Sequence, residues 1–176
     1  CEYRTNLCAD KTVINVTDFG TGSNGARRVG KITKSSAMEV QYGGVLQKII
    51  NSFNVGTVLE LGTSVGVGTM FLARADKNAR ITSIEGCPET CNFTKNEFKK
   101  RKIDNVNFIN ADFDKVFDNN MLSSQRFDLF YIDGNHTFDA TTRYYRHISE
   151  NHAGDKAIYV FDDINWSRGM FADWKK

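Results

Sequence analysis

The chain has almost no excess charge of either sign: 23 lysines and arginines against 21 aspartates and glutamates leave +2 over 176 residues. So slight a bias gives neither nucleic acid nor an anionic membrane a reason to be an obligate partner. The four cysteines, Cys1, Cys8, Cys87 and Cys91, include no CxxC pair and no companion histidine cluster. That pattern excludes a zinc site and a thioredoxin-type motif, and it reads as reduced thiols of a cytosolic protein. No apolar run approaches the roughly 20 residues that span a bilayer, and no basic-then-apolar signal segment opens the chain. The expected location is therefore cytoplasmic, away from membranes. Internal repeats and low-complexity tracts are also missing.

What is present is an ordinary globular composition, 40% apolar and 25% charged. The length suits one domain that buries roughly two thirds of its unfolded surface. Residues 1–34, with the segment DFGTGSNGARRVGKITK, show little periodicity and are expected to form an N-terminal arm or lid. Residues 35–176 alternate between helical patterns and short apolar runs, and are expected to form the ligand-binding domain. Ser36 and Glu39 read as a capping box. Tyr42, Val45, Leu46, Ile49, Ile50 and Phe53 then recur as a helical stripe facing a core. Gly43 and Gly44 weaken that helix and would permit close packing.

Five apolar runs read as strands: Thr57–Leu61, Ile81–Glu85, Val106–Ala111, Phe127–Asp133 and Ala157–Asp163. Helices are expected between them, around Met70 to Ala73, after Pro88 with Cys91 and Phe98 inward, at Val116 and Phe117, and from Phe138 to Ile148. Strands alternating with helices argue for an α/β fold with a parallel sheet covered on both faces. Thirteen residues follow Asp163, room for one short helix using Met170, Phe171 and Trp174. A sheet ending at the fifth strand leaves an apolar edge, which calls for further chain or for a partner such as a second copy.

The strongest chemical signal is LELGTSVGVGT, Leu59 to Thr69, at the carboxyl end of the first strand. Ligands of such sheets bind outside those ends. Gly62 and Gly66 let the backbone turn tightly and approach a ligand. Glu60 can accept from a cationic amine, and amides at the following helix start can hold a carboxylate. Glu85 ends the second strand, where an acid accepts the hydroxyls of a ribose. Asp112 and Phe113 end the third, suited to an adenine amine and ring. Asp133 ends the fourth strand, and Asp162 with Asp163 the fifth, so all five strands finish in carboxylates at one rim.

With ITSIEGCPE, IDGNHTFDATTRYY and VFDDINWSRGM, these segments resemble the class I S-adenosylmethionine-dependent methyltransferases over about Val16 to Trp174. The likeness is nearest to the bacterial small-molecule O-methyltransferase-like group, whose loop reads E-L-G-x-x-x-G. It implies a Rossmann-like, doubly wound, mostly parallel sheet whose usual final strands are missing from this chain. It implies S-adenosyl-L-methionine as cofactor, with contacts from Glu60, Gly62, Ser64, Gly66, Glu85, Asp112, Phe113 and Asp133. Many enzymes of this kind hold a divalent cation, and Asp133, Asp162 and Asp163 fall on those places, with Mg²⁺ or Ca²⁺ as suitable ions. Such a cation would activate an acceptor hydroxyl.

The sequence departs from that pattern in two ways. The usual Asp-Asn pair is Asp-Asp, and the lysine that commonly serves as base is missing, leaving Asp133, Asp163 and His136 as the catalytic candidates. Histidine ordinarily changes charge near neutral pH, which suits His136 as base; the same residue could instead hydrogen-bond Asp133 or the backbone to shape the loop. In the leading segment Gly20, Gly22 and Gly25 give mobility, while Arg27, Arg28, Lys31 and Lys34 could meet an acidic acceptor. A solvated arm is the alternative. Trp166 and Arg168 would border the acceptor pocket or serve in packing. The expected activity is methylation of a small molecule, most readily at oxygen. The competing readings are an NAD-binding oxidoreductase, which the GxxxGxG loop disfavours, and a non-catalytic binding module on the same fold.

Overall fold

Alternating runs of this kind must bury both faces of every central strand, and the computed structural model, which describes residues 1–19, 22 and 24–164, does so. The elements in chain order are α1 (Glu2–Ala9), β1 (Val13–Val16), β2 (Gly25–Arg28), α2 (Val29–Ser36), α3 (Val40–Phe53), β3 (Thr57–Leu61) and α4 (Val67–Ala75). Then follow β4 (Arg80–Glu85), α5 (Pro88–Lys100), β5 (Val106–Asn110), α6 (Phe113–Asp118), β6 (Phe127–Ile132), α7 (Phe138–Asn151) and β7 (Ala153–Phe161). Strands β3 to β7 form one parallel sheet in the order β5-β4-β3-β6-β7, so the five expected strands are all present. The order reverses beside β3, which opens a crevice at the carboxyl ends of β3 and β6.

The side-chain period of two splits the core between the faces. Val58 and Leu129 join α1 to α4 and Phe98 of α5 in one cluster; Leu59, Leu61, Phe130 and Ile132 join Val116, Tyr144 and Ile148 in the other. Trp166, Arg168, Met170, Phe171 and Trp174 lie outside the described residues, as does Gly20.

Three local expectations change. Residues 1–34 carry two helices and the antiparallel hairpin β1–β2, and position 34 falls inside α2. Tyr3, Leu7, Ile14, Val29 and Ile32 of that segment are buried in the first cluster. The Ser36–Glu39 capping box does not form: Ser36 closes α2, and Glu39 is the N-cap of α3 without a side-chain cap. On α3 the buried line is Gly43, Leu46 and Ile50, whereas Tyr42, Val45 and Phe53 are exposed. The helix rests on α4 through Gly43, where a Cβ would overlap the Phe71 ring, and this contact rotates the expected stripe partly out of the core.

That contact gives a paired test. Gly43→Ala should cost about 1–3 kcal/mol through overpacking. Gly44→Ala, with nothing within 4 Å of the added atom, should be neutral or stabilising by up to about 1 kcal/mol. Urea unfolding of both variants checks this; equal midpoints would refute close packing at Gly43.

Candidate active site

A cavity of about 510 Å³ lies at the carboxyl ends of the sheet, within the range of small-molecule sites. Gly62, Ser64, Glu85, Asp112, Phe113, Asp133, His136, Asp162 and Asp163 all line it. Nearly the whole set singled out from sequence therefore meets in one place.

The glycine turn is fixed by backbone pairing. The Gly62 N–H donates to Ile84 O at 3.0 Å, and the Asp133 N–H donates to Leu61 O at 2.9 Å, which zips the turn between the ends of β4 and β6. Gly62 has φ +106°, and a Cβ there would collide with the Asp133 carbonyl oxygen. Gly66, the N-cap of α4, has φ +77° and stands against Thr94, Phe98 and the Tyr3 hydroxyl. The loop is also tied from outside: Tyr3 Oη donates to Val65 O at 2.8 Å, and Thr94 Oγ1 donates to Ser64 O at 2.9 Å.

Glu85 is the centre of this arrangement. Its Oε2 accepts the Ser64 N–H and its Oε1 the Cys87 N–H, both at 2.8 Å. Burial raises its pKa against the opposing pull of those two amides. Each oxygen keeps a further lone pair, so the carboxylate can brace the loop and still accept from a ligand. Asp112 caps α6 by accepting the Asp114 N–H at 2.9 Å. Phe113 stands edge-on to Tyr144, with ring centroids 5.5 Å apart, and a Cβ on Gly134 would press on the Phe113 ring.

Glu60 and Gly66 do not line the cavity. Glu60 shares the face of β3 that α4 covers, is 1% exposed, and its Oε2 accepts the hydroxyls of Thr69 and Ser83. Burial lifts its carboxyl to about 8, so it is mostly protonated at neutral pH. This differs from the open amine acceptor expected of it, and its Oε1 has no hydrogen-bond partner among the described residues.

At the rim, Tyr131 Oη lies 2.9 Å from Asp133 Oδ2 and 2.8 Å from Asp162 Oδ2. Burial first, then the neighbouring Asp162, pushes Asp133 up to about 7. His136 Nε2 lies 3.9 Å from both Asp133 Oδ1 and Asp163 Oδ2, close enough for charge attraction but beyond hydrogen-bond reach. The expected metal set of Asp133, Asp162 and Asp163 is not assembled: among the described residues no three His, Cys, Asp or Glu side chains are disposed to hold an ion. Asp162 Oδ1 accepts the Asp163 N–H, and Asp133 Oδ2 and Asp162 Oδ2 flank the Tyr131 hydroxyl.

The N-terminal segment closes the other side of the cavity. Phe19, Arg27, Lys34, Met38 and Tyr42 line it; Arg28 and Lys31 do not. Sequence reasoning missed Tyr131, Tyr144 and Met38. The first could have been found by its position, two residues before Asp133 on the same side of a strand.

A parallel sheet of this order, with a glycine turn and acidic strand ends around one cavity, defines a nucleotide-binding α/β architecture. Within that class, the chain belongs to the methyltransferase domain family, which matches residues 59–164. No curated protein matches it. Among solved structures it is similar to an O-methyltransferase from Bacillus cereus in complex with SAH, at 16% identity and TM-score 0.69, over 80% of this chain and 70% of that one. It is also similar to the O-methyltransferase TomG from Streptomyces achromogenes, involved in tomaymycin synthesis and complexed with SAM, at 18% identity and TM-score 0.67, over 74% of this chain and 59% of that one. A third is the SAH-bound methyltransferase PaMTH1 from Podospora anserina, at 20% identity and TM-score 0.64, over 72% of this chain and 54% of that one. The chain thus spans between about half and about two thirds of these structures' lengths. Among the described residues no helix is long and apolar enough to cross a membrane.

Proposed function

We propose that the protein is an S-adenosylmethionine-dependent methyltransferase acting on a hydroxyl of a small molecule. The observation that carries this reading is the Glu85 carboxylate, held at the cavity wall by the amide of the glycine turn itself. Similarity to O-methyltransferases complexed with SAM or SAH supports it.

When bound, S-adenosylmethionine supplies a methyl group activated on a sulfonium. Glu85 would accept from the ribose hydroxyls, and Asp112 and Phe113 would hold the adenine. The turn from Gly62 to Gly66 would leave room for the methionine portion, with Asp133 at its edge. Positioning and exclusion of water account for most of the acceleration in this reading, because the donor needs little activation. His136, flanked by Asp133 and Asp163, would take the proton of the acceptor hydroxyl. Arg27 and Lys34 would face an acceptor carrying negative charge, with the segment before α2 serving as lid. All four cysteines are free, which suits a reducing, cytoplasmic compartment, and a homodimer is compatible with the exposed apolar side chains of α3.

Isothermal titration of S-adenosylhomocysteine into the wild type and Glu85→Ala tests the cofactor site. Losing a buried charge-assisted contact should cost on the order of 1.5–3 kcal/mol, roughly 10- to 150-fold in affinity. Equal affinities would mean that the ribose lies elsewhere.

A further inference from the structure

The geometry points to Tyr131 as the residue that joins the tips of β6 and β7, taking the place a divalent cation would otherwise hold, so that the site binds and positions its ligands without metal. This deepens the methyltransferase reading and rests on it.

Asp133 follows β6 and Asp162 follows β7, so two carboxylates stand side by side at the ends of adjacent parallel strands and line the cavity. Left alone they would repel, and a cation is one remedy. The protein uses another. Tyr131 is buried to 1% exposure on β6, and its hydroxyl stands between Asp133 Oδ2 and Asp162 Oδ2 at 2.9 and 2.8 Å. A phenol has one proton, so it cannot donate to both at once. It donates to one carboxylate at a time, and its oxygen stands in the space between the two acids that a bridging cation would need.

Asp162 Oδ1 accepts the Asp163 N–H at 2.9 Å, and the Asp163 side chain turns towards His136 rather than towards Asp162. Magnesium wants several ionised or carbonyl oxygens in near-octahedral array. Here the first two candidates already face a shared hydroxyl, and Asp163 Oδ2 lies 3.9 Å from His136 Nε2. Tyr131 is accordingly a positioning residue: it sets the rotamers of Asp133 and Asp162, and through Asp133 the neighbour of His136.

The test titrates Mn²⁺ alone into the wild type and Tyr131→Phe, and in parallel titrates S-adenosylhomocysteine into each protein in EDTA and in excess Mg²⁺. The wild type should bind Mn²⁺ no tighter than about millimolar, and its S-adenosylhomocysteine affinity should agree within about twofold between EDTA and Mg²⁺. Tyr131→Phe leaves two unbridged carboxylates and should bind Mn²⁺ at least about tenfold tighter. Micromolar Mn²⁺ binding by the wild type, a metal requirement for S-adenosylhomocysteine, or no gain in the folded phenylalanine variant would each overturn the proposal. The wild-type titrations decide it even if the variant does not fold. Failure of S-adenosylhomocysteine to bind in any arm would instead sink the methyltransferase reading, while the Mn²⁺ titrations still read the phenol bridge.

Discussion

Gly62→Ala is expected to lose S-adenosylhomocysteine binding by at least about 100-fold and to destabilise the fold by about 3 kcal/mol or more. Two costs combine. At φ +106° an L side chain is strained, and the new Cβ would meet the Asp133 carbonyl, which is backbone and cannot swing aside. Relief requires parting the turn from the end of β6, breaking the Asp133 N–H to Leu61 O bond that closes the cavity floor. Urea unfolding and isothermal titration read the two effects separately. A variant with wild-type stability and affinity would show that the turn is not held against β6 as described.

The second large effect concerns Glu60 and pH. The native carboxyl keeps its proton up to about 8, whereas the unfolded chain releases it near the ordinary 4.5. Between those values the native state binds more protons than the unfolded state, so stability falls as pH rises. The slope approaches about 1.4 kcal/mol per pH unit within the window and vanishes above it. Glu60→Gln mimics the protonated acid: its amide oxygen can accept from Thr69 and Ser83, and its NH₂ group takes the place of the oxygen that has no partner. The variant should therefore lose this slope and exceed the wild type in stability at pH 8 while matching it near pH 5. Unfolding free energies at the two pH values decide the point, and parallel curves would count against a protonated Glu60.

How far the sequence could be read follows from where the signals are local. The five strands of the parallel sheet were legible because each is a short apolar run between helical patterns, and the rim acids because each closes such a run. Glu60 was misplaced because a strand turns successive side chains to opposite faces. It precedes the turn, yet it shares the face of Val58, beneath α4. The N-terminal helices were not legible because α1 offers the core only Tyr3 and Leu7, too few apolar positions to show a period. The exposed half of the α3 stripe needed knowledge of Gly43 against Phe71, a contact between elements that no single-helix pattern contains. The metal expectation came from resemblance, and the Tyr131 hydroxyl that reaches both carboxylates across two strands carries no signal in a single-strand pattern.

The hydroxyl of Tyr3 reaches a carbonyl 62 positions further along the chain, inside the turn between Gly62 and Gly66. Anything that quiets that turn must also quiet the first helix, because the bond cannot be kept at one end alone. Amide hydrogens from Arg4 to Cys8 should then exchange with solvent more slowly once S-adenosylhomocysteine is present, and Tyr3→Phe should erase the difference. In energetic terms, the beginning of the chain reports on a ligand it never touches.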